Sequence, residues 1–248
     1  MGAYQYSKSA KNTNSFQYRR IYLDYSYDIS PKFSAEVLLA AENDVQASTG
    51  GVSTGSAGNT LVDNNFAFYI KNANIRWKNF WKGTDLVVGE VSTPAYSQIS
   101  EPAWGYRNVE KTITDLHKTP SFDMGITLQG KFDPGTDNFG YDLMAANGTA
   151  AKPESDNYKW LYADIWAKFL DKKICVDLYT DYNKMGYIGS GAAYPHSWNM
   201  IKGTVAYVSA PFTIGVEAFF NNDKNGMQVL GADTTTLNAT EWAISAVV

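Results

Sequence analysis

The chain has 248 residues, 19% of them charged, and a formal net charge of −4. It contains no run of about 18 apolar residues, which excludes a membrane-spanning helix, and its acidity argues against general nucleic-acid binding. The single cysteine, Cys175, permits no internal disulfide and predicts a buried structural thiol. Aromatic residues are abundant, with 17 Tyr, 12 Phe and 7 Trp, and Tyr and Trp collect where a membrane meets water.

Alternation of apolar and polar residues with a period of two predicts about twelve β-strands, the first and last incomplete. They are residues 2–7, 16–28, 33–42, 66–77, 85–91, 123–132, 139–145, 158–169, 173–182, 198–208, 212–221 and 242–248. A less regular pattern near Lys71 and Asn72 predicts a β-bulge. No signal peptide precedes the first strand, so we expect a mature piece of a longer precursor.

The strand at Leu161–Phe169 shows why these strands are expected to span a membrane. Its unbroken alternation has the length that a tilted strand needs to cross a bilayer, about 9–11 residues, whereas strands of soluble proteins are usually about 5–6 long. Short connections at 29–32, 79–83, 133–135, 170–172 and 209–211 also alternate with long polar ones. That asymmetry is typical of outer-membrane barrels.

Charged residues occupy the polar face at strand centres. Burying a charge there in a packed core would cost several kcal/mol, whereas a charge that faces a water-filled lumen costs little. The predicted pore-lining residues are Arg20, Asp24, Glu36, Arg76, Asp123, Lys131, Asp142, Asp164, Lys168, Asp177, Lys202 and Glu217. We therefore predict an all-β, transmembrane, antiparallel up-and-down barrel, with residues 1–248 as one domain. A large soluble β-sandwich or barrel is the alternative, but it leaves the strand lengths and the sorted connections unexplained.

Four stretches together resemble the phosphate-selective porin O/P-like family of Gram-negative outer membranes. They are Phe16–Leu23, Val88–Pro94, Asp123–Ile126 with Gly130, and Ala146–Gly148, in the family's order. The resemblance implies a barrel of about 16 strands, often trimeric, that passes small anionic or generally hydrophilic solutes. Since only about twelve strands are visible, either more chain exists, a smaller barrel closes, or a partner supplies strands.

The long loop Ser97–Ser121 combines many aromatic and charged residues, and the resemblance implies that it folds inward and narrows the pore. Its predicted constriction residues are Trp104, Tyr106, Arg107, Glu110, Lys111 and Asp115. An outward surface loop is the alternative. Acids exceed bases on the polar face, so we expect a general or mildly cation-favouring channel; pairing of these charges across strands is the alternative.

Aromatic residues on the polar face either stack sugars or aromatic solutes, or pack against neighbouring side chains: Trp160, Tyr162, Trp166 and Tyr179. Enzymatic signals are poor, because the two histidines, His117 and His196, lie in predicted loops and no metal cluster or cofactor motif is present. The sequence thus predicts a non-enzymatic porin without a cofactor, in contact with outer-membrane lipid. The resemblance implies assembly as a homotrimer or within a larger outer-membrane assembly. The alternative is a plugged barrel that serves as a subunit of a larger outer-membrane assembly.

Overall fold

The computed structural model describes residues 2–7, 13–18, 20–42, 68–97, 99–105, 112–116, 120–150, 152–154, 156–187, 195–210, 212–228 and 236–247. Its strands are β1 (Gly2–Ser7), β2 (Thr13–Tyr18), β3 (Arg20–Ser30), β4 (Phe33–Glu42), β5 (Tyr69–Trp81), β6 (Thr84–Ser92), β7 (Phe122–Lys131), β8 (Phe139–Ala146), β9 (Trp160–Phe169), β10 (Ile174–Tyr187), β11 (Pro195–Val208), β12 (Thr213–Gln228) and β13 (Thr236–Val247).

Strands β3 to β13 form one antiparallel sheet of eleven strands in chain order, and β1 and β2 form a separate two-stranded sheet. This up-and-down meander confirms the all-β prediction. The sheet is not closed, since among the described strands β3 pairs only with β4 and β13 only with β12. Each neighbouring pair is antiparallel because the connections at one end are too short for a crossover.

Strand boundaries differ from the prediction where the sequence shows no alternation of apolar and polar residues. The predicted strand at 16–28 is divided between β2 and β3, which belong to different sheets. Strands β10 to β13 run further than predicted, because backbone ladders continue through polar residues that show no alternation. The predicted bulge is confirmed: Leu38 pairs with Asn72 and Leu39 with Ile70, which leaves Lys71 as the extra residue.

The two faces of the sheet have opposite character, and the apolar face is the exposed one. In β9, Tyr162, Asp164 and Trp166 are buried, whereas Leu161 and Ile165 are about half exposed, at 52% and 53%. The same pattern exposes large aliphatic side chains across the sheet: Ile75, Val88, Ile126, Leu143, Leu178, Ile201, Val205, Ile214 and Val216. An apolar surface of this extent is typical of a membrane-facing wall and contradicts a soluble sandwich.

Three short helices lie between β6 and β7: α1 (Pro94–Ser97) at the start of the predicted long loop, and α2 (Ser100–Trp104) and α3 (Ile113–Leu116) within it. The sequence did not predict them, since none is long enough to show a helical period. Helix α2 ends at Gly105, whose φ of 66° suits glycine and whose N–H donates to Glu101 O at 3.0 Å. We call the described parts of residues 94–116 the helical segment. No described helix has the length and apolar character needed to cross a membrane.

Candidate functional site

The helical segment lies against the polar face of β8 to β13, and Lys202 of β11 is its central anchor. The Lys202 side chain is completely buried. Its Nζ donates to Ala95 O at 2.6 Å, to Ser100 Oγ at 2.5 Å and to Asp177 Oδ2 at 2.8 Å. An ammonium group has three protons, so all of them are used, two by the helical segment and one by β10.

Glu217 of β12 holds the other end of the helical segment. Its Oε1 accepts the Thr114 N–H at 3.0 Å and the Thr114 hydroxyl at 2.6 Å. Hydrogen bonds to a buried carboxylate are stronger than those between neutral groups, so this contact fixes α3 on the wall. A backbone hydrogen bond joins the residues that flank the helical segment on either side: the Thr93 N–H donates to Ser121 O at 3.2 Å.

Buried carboxylates form a row on the wall beneath the helical segment. Asp142 of β8 accepts the Thr127 hydroxyl at 2.6 Å and the Gln129 amide at 3.1 Å. Asp164 of β9 lies directly opposite Asp142 in the ladder, and neither of its carboxylate oxygens has a hydrogen-bond partner among the described residues. Two carboxyl groups at directly opposite positions repel each other when both are charged, and the ammonium group of Lys202 is a nearby positive charge.

A second buried group combines acids with the aromatic residues of the polar face. Tyr162 donates its hydroxyl to Asp123 at 2.9 Å, and Tyr179 donates to Asp181 at 2.7 Å. The rings of Trp160 and Tyr162 stack with centroids 5.6 Å apart. These side chains are buried and packed against one another, which agrees with the space-filling interpretation rather than with sugar stacking.

The polar face of β3 to β5 borders two cavities, in contrast to the covered half of the wall, although Asn72 and Asn74 are themselves buried. Glu36 accepts hydrogen bonds from the amides of Asn72 and Asn74 at 3.3 and 3.2 Å. Arg76 forms an ion pair with Asp85 at 3.0 Å. A cavity of about 280 Å³ borders Glu36, Asn74 and Arg76, and another of about 430 Å³ continues from Arg76 toward β7 and β9.

The structure therefore divides the predicted pore-lining residues into two groups. Those buried beneath or beside the helical segment are Asp123, Asp142, Asp164, Asp177, Lys202 and Glu217; those partly or fully exposed are Arg20, Asp24, Glu36, Arg76, Lys131 and Lys168. That either group lines a conducting pore stays a prediction. Several of the charges do pair, as Lys202 does with Asp177 and Arg76 with Asp85.

Only two of the predicted constriction residues can be placed. Trp104 ends α2 and Asp115 lies in α3, whereas Tyr106, Arg107, Glu110 and Lys111 lie outside the described residues. The anchors that sequence reasoning missed are Ala95, Ser100 and Thr114. They are small residues in an irregular segment, and no spacing or composition distinguishes them from their neighbours.

The remaining candidates from the sequence have structural explanations. Cys175 is free and buried, which confirms the predicted thiol. His196 Nε2 contacts Asp223 Oδ1 across the β11–β12 ladder. The described residues contain no group of three or more His, Cys, Asp or Glu side chains placed to hold a metal.

Asp133 and Asp137 lie in the turn between β7 and β8. The Thr136 hydroxyl and then the N–H groups of Phe139 and Asn138 lower the pKa of Asp133 by stabilising its charged form. Partial burial raises the pKa of Asp137, but the hydrogen bond and charge of Lys131 outweigh it, and the net shift is downward.

No protein-family model matches the chain, and no curated protein matches it in sequence. Its solved structural neighbours include OmpT, an outer-membrane protein of Vibrio cholerae. A loop L8 deletion mutant of OmpT has a TM-score of 0.55 at 13% identity, and the match covers 99% of this chain and 72% of the mutant's chain. In-vitro folded OmpT in its trimer form has a TM-score of 0.55 at 14% identity, and the match covers 99% of this chain and 67% of the OmpT chain. Another in-vitro folded OmpT has a TM-score of 0.52 at 14% identity, and the match covers 99% of this chain and 66% of the OmpT chain. The chain thus has the fold of outer-membrane β-barrel proteins.

Proposed function

We propose that the chain is a porin of a Gram-negative outer membrane, through which small hydrophilic solutes and ions diffuse passively. The observation that supports this most is the one-sided position of the helical segment. Lys202 and Glu217 hold it against β8 to β13, while the polar faces of β3 to β6 border cavities of about 280 and 430 Å³. Solutes pass between the segment and this open half of the wall, and the exposed apolar face contacts lipid.

The finer features of the proposal concern closure, assembly and selectivity. A closed barrel of about 16 strands completes the eleven-stranded sheet, as the resemblance to phosphate-selective porins implies, and three copies assemble as a trimer. One similar OmpT structure is described as a trimer form. Two carboxylates border the first cavity, and Asp28 pairs with Lys78. Arg76 pairs with Asp85, so Glu36 has no basic partner in the described part of the chain. We therefore propose weak cation preference rather than phosphate selectivity.

Conductance in planar lipid bilayers tests the proposal. A porin gives ohmic steps, and the reversal potential in a KCl gradient reports ion preference. E36Q lowers the cation preference because Glu36 borders the open cavity, whereas the matched variant D142N leaves it unchanged because Asp142 is buried beneath the helical segment. Stable insertion without conductance contradicts the porin function.

A plugged barrel, which serves as a structural subunit of an outer-membrane assembly, is the second candidate. The complete burial of Lys202 and Asp142 favours it, because the described parts of the helical segment cover the polar face of β8 to β13. This candidate predicts a tight electrical seal from folded, inserted protein. We propose no enzymatic role: the only histidine described, His196, contacts Asp223 rather than a serine hydroxyl, and detergent-solubilised protein should not hydrolyse esters.

A further inference from the structure

A small cavity lies between the helical segment and strands β11 to β13. Its volume is about 30 Å³, which is enough for about two water-sized spheres. Thr112 lines it from the helical segment, and Thr204, Glu217 and Ser245 line it from the three strands. We call this space the segment cavity. It shares no lining residue with the two larger cavities beside β3 to β5.

The strand register brings three oxygen-bearing side chains into one row along the segment cavity. Glu217 of β12 lies directly opposite Thr204 of β11 and directly opposite Ser245 of β13. Directly opposite residues share a face of the sheet, and their Cβ atoms are about 4.5–5.5 Å apart. Because Thr112 approaches from the helical segment, carboxylate and hydroxyl oxygens border the same small space from both sides.

Buried oxygen atoms of three of these residues have no hydrogen-bond partner among the described residues. Glu217 is only 7% exposed, and Thr114 donates twice to its Oε1, whereas its Oε2 accepts no hydrogen bond. The hydroxyl groups of Thr112 and Thr204 are buried and equally unpartnered. Buried polar groups in folded proteins are satisfied almost without exception, so three such groups around one cavity indicate a bound group.

The charge of Glu217 favours a cation as the bound group. Glu217 forms no ion pair with any residue that the structure describes. Lys202 is the one buried basic side chain in the described part of the chain, and all three of its protons are engaged elsewhere. A buried carboxylate without a cation is strongly destabilising, and a water molecule would leave its charge uncompensated. Carboxylate and hydroxyl oxygens are hard ligands, which suit alkali and alkaline-earth cations better than transition metals.

We propose that the segment cavity binds one monovalent alkali cation of the size of K⁺, with Glu217, Thr204 and Thr112 as ligands. A potassium ion is about as large as a water molecule, so the cavity has room for it. One carboxylate suits a single positive charge, whereas protein sites for Ca²⁺ usually combine several acidic ligands. The cation would join the helical segment to the wall beside the Lys202 anchor. The inference goes beyond the proposed function, since it does not depend on conduction.

Urea unfolding of the full chain in detergent tests the inference when KCl is replaced by N-methylglucamine chloride at constant ionic strength. N-methylglucamine has the same charge as K⁺ but is too large for the segment cavity. A cation that binds only the folded chain stabilises it, so each tenfold rise in K⁺ above the dissociation constant should raise the urea midpoint by about 0.7 M. Equilibrium dialysis with radioactive rubidium should detect one bound ion per chain, and K⁺ should displace it.

Two variants remove the proposed ligands and keep the contacts already described. E217Q removes the charge but retains Oε1 as the acceptor for Thr114, and T204V removes a hydroxyl group that has no described partner. E217Q should abolish both the K⁺ dependence and the bound rubidium. T204V should weaken K⁺ binding about tenfold and unfold at the parent's midpoint in N-methylglucamine chloride. The matched controls E36Q and T213V lie outside the lining of the segment cavity and should keep the parent's K⁺ dependence.

Three results would overturn the inference. Equal midpoints in the two salts, without bound rubidium, would mean that the segment cavity holds water only. A K⁺ dependence that persists in both E217Q and T204V would mean that the cation binds elsewhere. An equal loss of the dependence in E36Q and T213V would indicate a general effect of salt. Conductance is measured separately in bilayers, so a chain that binds K⁺ but does not conduct supports this inference and contradicts the porin function.

Discussion

Replacement of Lys202 by methionine should release the helical segment from the wall. Methionine preserves much of the apolar stem but removes the ammonium group, which makes three hydrogen bonds and is completely buried. Asp177 would then be a buried carboxylate without its cation. Breaking a buried ion pair from one side costs about 3–5 kcal/mol, because the remaining charge is left uncompensated.

Urea unfolding of the refolded protein in detergent measures this cost. With a slope of about 2 kcal/mol per molar urea, K202M should lower the midpoint by about 2 M. The double variant D177N/K202M should recover at least half of the loss, since removing both partners leaves no unpaired charge. In bilayers, K202M should also raise the current noise, as the segment fluctuates against β11.

Two results would refute this reasoning. A midpoint shift below about 0.5 M in K202M would mean that the ion pair contributes little, as exposed pairs do. Equal destabilisation in K202M and D177N/K202M would mean that lost packing, rather than the stranded charge of Asp177, accounts for the effect.

Three further predictions concern single carboxylates. E217A should cost about 2 kcal/mol and speed hydrogen exchange in α3 more than elsewhere, because Thr114 loses its acceptor. D164N should raise the free energy of unfolding by about 1–2 kcal/mol in the same urea assay, since it removes a carboxyl group that lies opposite Asp142 and has no hydrogen-bond partner among the described residues; a loss of stability would contradict this. The pKa of Asp133 lies below its ordinary value of 3.8, so the charged carboxylate stabilises the folded turn above pH 3.8. This stabilisation is lost as the pH falls through the lowered pKa. Amide exchange in the turn should show this dependence, and D133N should abolish it.

The sequence was sufficient to predict the sheet because each strand carries its own signal. A period of two places Leu161 and Ile165 on one face and Tyr162 and Asp164 on the other, and the structure exposes the first pair and buries the second. The bulge at Lys71 was visible for the same reason, since an extra residue shifts the phase of the alternation.

Strand ends were less predictable because backbone pairing does not depend on side-chain polarity. The ladder between β12 and β13 continues through Asn221 to Asp223 and resumes at Met227 after a bulge. Residues in this stretch are uniformly polar, as they would be in a solvated loop, so no alternation distinguishes the two.

The burial of the charged residues on the polar face could not be predicted from the sequences of the strands that carry them. Alternation shows that Lys202 and Asp177 share the polar face, but a lysine facing open water and a lysine facing a packed segment have the same local sequence. What decides between them is Ser100, 102 residues away in the chain, and Ala95, 107 residues away. Their positions follow from the path of the helical segment across the sheet. Because the described parts of the segment lie against β8 to β13, the cavities open beside β3 to β5, and K202M is the variant that should change where that opening lies.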